Sequence, residues 1–508
     1  TATVTREASM DKFNGIAEYH DGMVVTDYVN MIPMGNTCVD RVGETPIPDN
    51  SFTPGECRGS FIDSHSNIYV VVNEEVRRYK KEADGSITPC GVMFKVKKYD
   101  APVSFCESSL KPSVVYLCDG EFIYCWMLIT DEQQGYEAFK VKMLYLPGVS
   151  PLTSTANAQI PFEDYVSGTD LTKLTGAWSK CRYICWFDNR LVMTCVDENT
   201  CYLTCTDPDR FIRNPLNNPW DDTTGADLWH NKYPSNNGAD TMNRVVSYRG
   251  QLYFFNQYSI EAWGRTGDED APIQSNTTSV IHHGGRNPLV IADEIFFISE
   301  DKIGGHHIAK ISPEGFAIIS NIEIDKRMGN PIDIRPITQR HEPIIAVRVN
   351  ERDYFMYGFN HWWRWKTPSG ETESVLESIL EELSVTTSGR LIRFDEESRN
   401  SVNGKRIERY IREGFQQFKK RVIFRRFVAT MDTGRKTEVS DDSGIYLALS
   451  INNGLSFGQR HYRKLGQFGL NNKVMEWRNL GSGNSVLIEL GTSAPYKLQL
   501  YDIAVEAQ

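Results

Sequence analysis

Cys181 and Cys185, followed by Cys201 and Cys205, form two Cys-x3-Cys pairs. Pairs of thiolates are what a structural zinc ion takes as ligands, each sulfur about 2.3 Å from the metal. These pairs lie in strand-like runs, where positions four apart stand on one face about 13 Å from each other. The sequence therefore argues against zinc unless local turns intervene. His282-His283 and His306-His307, each pair flanked by glycines, are the other candidate ligands. Adjacent strand residues point to opposite faces, so at most one of each pair can enter a site, and both pairs read as turn residues. Carboxylates are plentiful enough that some pair can always be nominated for glycosidic work. Ser450-Ile451-Asn452-Asn453-Gly454-Leu455-Ser456-Phe457 looks like the Asp-box turn of sialidase propellers, with Asn452 in the acidic position. That box shapes a turn and supplies no catalytic group. A Gly-x-x-x-x-Gly-Lys phosphate loop, a nucleophile elbow and a His-Glu-x-x-His motif are all missing from the sequence. The expectation is that the chain has no catalytic, cofactor-binding or metal-binding residues, and that it is a binding or assembly component, not an enzyme.

Composition narrows the class. The 508 residues are enough for two or more domains or one large repeat architecture. With 10 Trp, 23 Tyr and 24 Phe among many Thr, Val and Ile, the chain favours strands. A net charge of −11 argues against gripping nucleic acid through a basic surface, although Lys419-Lys420-Arg421 and Arg425-Arg426 cluster locally and read as a solvated or subunit-facing edge. The longest apolar runs fall short of 18 residues, so no spanning helix is expected. The start, Thr1-Ala2-Thr3, shows neither a basic flank nor an apolar segment of a secretory signal and reads as an end left by Met removal. The 11 Cys, an odd number at low density, sit mostly in apolar runs and read as small buried residues made in a reducing place.

The elements that carry these residues are short. Helical periodicity is confined to Glu373 to Leu383, where Val375, Ile379 and Leu383 recur every fourth residue and predict a helix. Elsewhere a turn with Asp, Asn or Gly precedes a strand of bulky residues. The turns are Ser66-Asn67, Asp119-Gly120, Asp188-Asn189, Arg249-Gly250, Asp293-Glu294 and Glu351-Arg352. Their mean spacing of about 57 residues is slightly longer than a propeller blade of roughly 40–50. A hairpin cannot bury both faces alone, whereas six stacked radially would share a continuous core. The reading is all-β: an irregular six-bladed β-propeller over residues 61–400, with Trp263 and the run Leu252 to Phe255 in its core. Residues 401–508 read as a C-terminal β-sandwich. Its strands are expected at Arg421 to Thr430, Ile445 to Ile451, Lys473 to Leu480, Ser485 to Leu490 and Tyr496 to Val505. Residues 1–60, rich in turn signals and poor in strands, read as an N-terminal arm.

Several of these segments resemble a known family. Arg249-Gly250-Gln251-Leu252-Tyr253-Phe254-Phe255, then Ser259-Ile260-Glu261-Ala262-Trp263 and Thr266-Gly267, are similar to the tail hub proteins of short-tailed bacteriophages. These are also called nozzle or packaged-DNA stabilisation proteins. Asp207-Pro208-Asp209-Arg210-Phe211 upstream, Arg58-Gly59 with Asn67-Ile68-Tyr69-Val70, Val76 and Tyr79, and the terminal Leu447-Ala448-Leu449-Ser450, Asn453-Gly454, Phe457-Gly458, Trp477-Arg478 and Leu480-Gly481 follow in the family's order. The resemblance implies an architectural role without catalytic residues. The subunits would form a ring, usually a hexamer, below the portal and head-to-tail adaptor rings of a virion tail, assembled in the bacterial host cytoplasm. That ring would continue the DNA channel, help retain and release packaged DNA without binding it specifically, and carry a needle, spike or fibre proteins. The alternative reading of the residues is a propeller glycosidase or glycan-binding protein.

Overall fold

The computed structural model describes residues 2–4, 26–96, 100–110, 113–131, 136–144, 181–195, 199–204, 229–234, 240, 242–276, 284–301, 304–415, 420–432, 444–452, 456–464, 472–495 and 497–508. The chain divides into two compact units, one of Asp49–Ile319 and one of Thr1–Pro48 with Ser320–Gln508.

The Asp49–Ile319 unit holds five four-stranded antiparallel sheets. They occupy residues 57–95, 104–144, 181–234, 242–275 and 284–318, and in each the strand order follows the chain. The expected turns fall at hairpins of these sheets. Asp188 and Asn189, Arg249 and Gly250, and Ala292 and Asp293 all have positive φ. Two successive positive φ values give the turn whose twist matches the strands it joins, which is why Asn, Asp and Gly mark these places. A second device caps two of the sheets. The Asp63 carboxylate accepts from the Asn67 amide at 2.8 Å and from the Tyr69 hydroxyl at 2.8 Å. Asp119 accepts from the Phe122 amide at 2.7 Å and the Tyr124 hydroxyl at 3.0 Å. Arg58, in the first sheet, donates to the carbonyls of Ala101 and Asp119 at 2.6 and 2.8 Å and ties the first sheet to the second.

Each sheet buries both faces. Val115, Leu117, Tyr124 and Trp126 pack with Tyr69, Val71 and Phe94 of the preceding sheet. Tyr116, Cys118, Ile123 and Cys125, one residue out of phase, pack with Ile184, Leu191 and Met193 of the following sheet. The same phase split puts Leu252 and Phe254 against the third sheet and Phe255 and Ile260 against the fifth. A strand of period 2 with an apolar neighbour on each side must be apolar at every position, so the runs read as continuous. Sheets stacked face to face in chain order are the arrangement of propeller blades, and the fold is all-β with a β-propeller.

In the other unit, the strands Asp333–Gln339, Glu342–Arg348, Asp353–Gly358 and His361–Lys366 form a further meander. It continues through the short strand Asp27–Val29, parallel to His361–Lys366, into Arg409–Phe415, Val486–Thr492, Gly444–Ser450 and His461–Lys464, nine strands in all. A four-stranded sheet joins Val375–Ser378, Leu383–Thr386 and Leu391–Asp395 to the N-terminal strand Gly43–Pro46. A seven-stranded sheet has Met31–Met34, Thr37–Asp40, Gln499–Ala507, Val422–Asp432 and Lys473–Arg478 in order, with Ala2–Val4 and Ser482–Gly483 attached. Phe427, Met431 and Trp477 of this sheet share one buried cluster with Ile411, Leu447 and Ile488 of the nine-stranded one.

The expected helix from Glu373 to Leu383 is not formed. Val375–Ser378 and Leu383–Thr386 are antiparallel strands, with Val375 opposite Thr386. Val375 and its neighbour Leu376 are both buried, at 1% exposure. Burial of successive residues suits a strand covered on both faces and not a one-sided helix, so the fourfold repeat is accidental. The helix that does form among the described residues is Ile322–Met328, capped by Asn321, whose side chain accepts from the Ile324 amide at 2.9 Å. Residues 27–46, strand-poor by sequence, carry four strands of three or four residues. Positive φ at Asn30 and Gly35 interrupts them before any alternation accumulates.

These short strands are held by buried charge. Asp40, fully buried, accepts from Arg399 Nε at 2.8 Å, from the Leu498 amide at 2.9 Å and from Arg409 Nη1. Arg41 pairs with Glu44 at 2.8 Å and lies 3.9 Å from the Trp365 ring centroid. Burial pulls the Arg409 guanidinium down to about 10 against the opposing pull of Asp40.

Two stability predictions follow from this packing. Asp40→Ala leaves Arg399 and Arg409 buried without their carboxylate and should cost about 3–5 kcal/mol, read from urea unfolding of the full chain; an unchanged midpoint would contradict the buried cluster. Trp263 is 5% exposed and stacks edge-on with Tyr233 and Phe254. Trp263→Ala should likewise cost about 3–5 kcal/mol, whereas a ligand-platform tryptophan would leave the melting point unchanged and abolish partner binding.

Candidate functional site

The thiols expected as possible ligands occupy different gaps between sheets. Cys181 and Cys185 share the strand Cys181–Phe187, but its register shifts between Cys181 and Tyr183. That bulge moves the strand by one position. Cys181 then faces Cys118 and Cys195 of one cluster, while Cys185 faces Cys201 in the next. The placement of two cysteines four apart on one face is thus corrected: they point to opposite faces. Cys205 and His282-His283 lie outside the described residues. The Sγ atoms of Cys118 and Cys181 approach to 3.3 Å. Burial pushes the thiols of Cys181, Cys185 and Cys201 well up, which keeps them protonated at neutral pH. No group of three or more Cys, His, Asp or Glu that could hold a metal ion occurs among the described residues.

His306 and His307 open the strand His306–Ser312, and His307 Nε2 stands 3.6 Å from Asp301. Asn452 does what the box predicts. Its Oδ1 accepts from Ser450 Oγ and the Ser456 amide at 2.8 and 3.1 Å, and so joins the two flanks of the box; residues 453–455 lie outside the described set.

A second polar cluster that the sequence did not single out centres on Glu489. Glu489, nearly buried, accepts from Arg412 Nε at 2.8 Å and pairs with Arg460 at 3.2 Å. Arg460 also reaches Glu408 at 2.9 Å, and the Tyr446 hydroxyl donates to Glu408 at 3.3 Å. Burial and the two carboxylates push the Tyr446 phenol far up. A protonated phenol between carboxylates already committed to guanidinium groups is a structural network: it offers neither nucleophile nor free base. A shallow pocket is lined by Gln339, Arg340, His341, Glu381, Glu382 and Glu396. His341 is paired with Glu381 at 3.1 Å, while both amide atoms of the buried Gln339 lack a partner. Neither site was foreseeable, because their members come from strands far apart in sequence.

The geometry thus defines a β-propeller protein. Residues 156–331 match the family described as bacteriophage P22 Gp10, β-propeller. That match agrees with the resemblance of the motifs and supports a bacteriophage structural protein with a DNA-stabilisation role. No curated protein matches the chain. Among solved structures it is similar to virginiamycin B lyase from Staphylococcus aureus (12% identity, 70% of this chain and 98% of that chain, TM-score 0.40). It is also similar to a streptogramin B lyase (10%, 70% and 97%, TM-score 0.41) and to the Cps50 (Swd1) β-propeller domain of Myceliophteria thermophila (10%, 69% and 98%, TM-score 0.38). Likenesses of this size carry no weight for function.

Purified full-length chain should contain no stoichiometric zinc by elemental analysis, and its melting temperature should not move on treatment with a chelator; one zinc per chain would contradict the assignment of its thiols to the core.

Proposed function

We propose that this chain is the ring-forming subunit of the tail hub, or nozzle, of a short-tailed phage. The ring, a hexamer, lies below the portal and head-to-tail adaptor rings, continues the DNA channel, and helps retain and release packaged DNA. The observation that carries this reading is the family match over residues 156–331. It is supported by the order of the motifs on both sides of that stretch and by polar clusters whose charges are spent on each other. Along the chain, residues 61–400 act as the propeller body and 401–508 as a C-terminal sandwich, with 1–60 as an N-terminal segment whose strands are built into the fold. Its further partners are the needle, spike or fibre proteins of the tail, and the virion is its place of action after assembly in the host cytoplasm.

Retaining DNA in this design does not require affinity for it, because a closed gate bears the load. Net charge −11 suits a channel part past which DNA slides, since each phosphate contact with Lys or Arg would add salt-sensitive binding and slow ejection. No catalytic role is assigned. The particle mass in solution, measured with and without portal and adaptor rings, tests the reading. A closed ring of several copies in the presence of the adaptor is expected. A chain that stays monomeric there and hydrolyses a glycan polymer would replace the hub with a propeller glycosidase.

A further inference from the structure

Charge is divided unevenly along this chain. Residues 401–508 hold 17 Lys and Arg against 10 Asp and Glu, a net +7, whereas residues 1–400 hold 38 against 56, a net −18. Part of the C-terminal surplus gathers at one place. His461–Lys464 is the end strand of the nine-stranded sheet and Lys473–Arg478 the end strand of the seven-stranded sheet. These two edges lie side by side: Trp477 Nε1 donates to the His461 carbonyl at 2.9 Å and Arg463 Nε to the Glu476 carbonyl at 3.3 Å. All four residues of His461–Lys464 are exposed. Arg426 and Arg478 stand on neighbouring strands directly opposite each other and share the Glu476 carboxylate. Arg421 and Arg425, both exposed, extend the positive surface along the strand and its approach. Exposed apolar side chains are interspersed, with Tyr462 at 62%, Val474 at 58% and Ile423 at 58%.

We propose that this paired edge is the surface by which one copy of the chain docks, head to tail, onto the acidic surface of the next copy. The inference rests on the ring reading and names the contact that builds the ring. A contact between two different surfaces of the same chain closes into a ring when its rotation permits. A surface with a clear excess of positive charge is repelled by its own copy, but it is attracted to the oppositely charged remainder of the chain. The make-up of the patch favours protein over DNA. Tyr462, Val474 and Ile423 would gain nothing from a phosphate backbone, whereas apolar side chains within a charged rim are the usual composition of a protein interface.

The test uses the full chain with its portal and adaptor rings, in wild-type form and as two variants, Arg463→Glu/Lys464→Glu/Arg478→Glu and the single Lys464→Glu, whose exposed side chain puts folding at little risk. Sedimentation gives the extent of ring assembly, thermal melting gives the fold, and a fluorescent duplex DNA gives nucleic-acid binding. Assembly of the wild type should weaken at least about tenfold between ~50 mM and ~500 mM NaCl as the screening length shortens from about 14 Å to about 4 Å. The triple variant should lose ring assembly and the single variant weaken it, both melting with the wild type. Normal assembly of a folded variant would overturn the docking surface and leave the ring reading intact. A wild type that never assembles would remove both. Variants that assemble normally but lose a salt-sensitive affinity for the duplex would reassign the patch to DNA.

Discussion

One buried carboxylate holds together segments that the sequence keeps far apart. Asp40 receives Arg399, Arg409 and the Leu498 amide, and Arg340 donates to its backbone carbonyl at 3.2 Å. Guanidinium groups so deeply buried are tolerated only when paired and hydrogen-bonded. The constraint runs both ways: the short N-terminal strands have too little apolar surface to fix themselves, and both arginines place their buried guanidinium groups on the Asp40 carboxylate. The four-stranded sheet completed by Gly43–Pro46 and the seven-stranded sheet containing Thr37–Asp40 therefore depend on the same residue and its immediate neighbours.

In the Asp49–Ile319 unit a different rule operates. Consecutive sheets share cores pairwise, with odd and even positions of one strand serving opposite neighbours. Stability of such a stack is approximately a sum of nearest-neighbour terms, so a lesion such as Trp263→Ala acts first on the gap between the third and fourth sheets. The apolar filling between sheets also accounts for the buried cysteines, such as Cys181, Cys185 and Cys201. They are small, polarizable pieces of core whose protonated thiols are chemically quiet.

What could be read beforehand was local. Turn residues at Asp188-Asn189 and Arg249-Gly250 announced hairpins because positive φ has a residue-type signature. The strands near Val422–Asp432, Gly444–Ser450 and Val486–Thr492 announced themselves by alternation and apolar runs. The helix expected from Glu373 failed because a three-point repeat is too short to distinguish a helix from two strands and a turn. The strands of residues 27–46 were illegible because each is shorter than the window in which alternation becomes visible, and the fourth strand of the Val375 sheet is supplied by residues more than 300 positions away. The cysteine geometry was misread by one bulge, which nothing in the residue types betrays. The polar network around Glu489 and the Asp40 cluster share this cause: long-range pairing brings their members together, and a single sequence carries no signal of it.

On the proposed reading, the propeller body, the acidic remainder and the basic C-terminal edge are the parts of a ring subunit around passing DNA, with the basic edge used for assembly. The most direct measurement is an electron cryomicroscopy map of the virion tail that contains this chain. The account predicts copies arranged as a closed ring on the tail axis below the portal and adaptor, with an open lumen wide enough for duplex DNA. Density that places the chain off the axis as single copies, or a tail complete without it, would contradict the account.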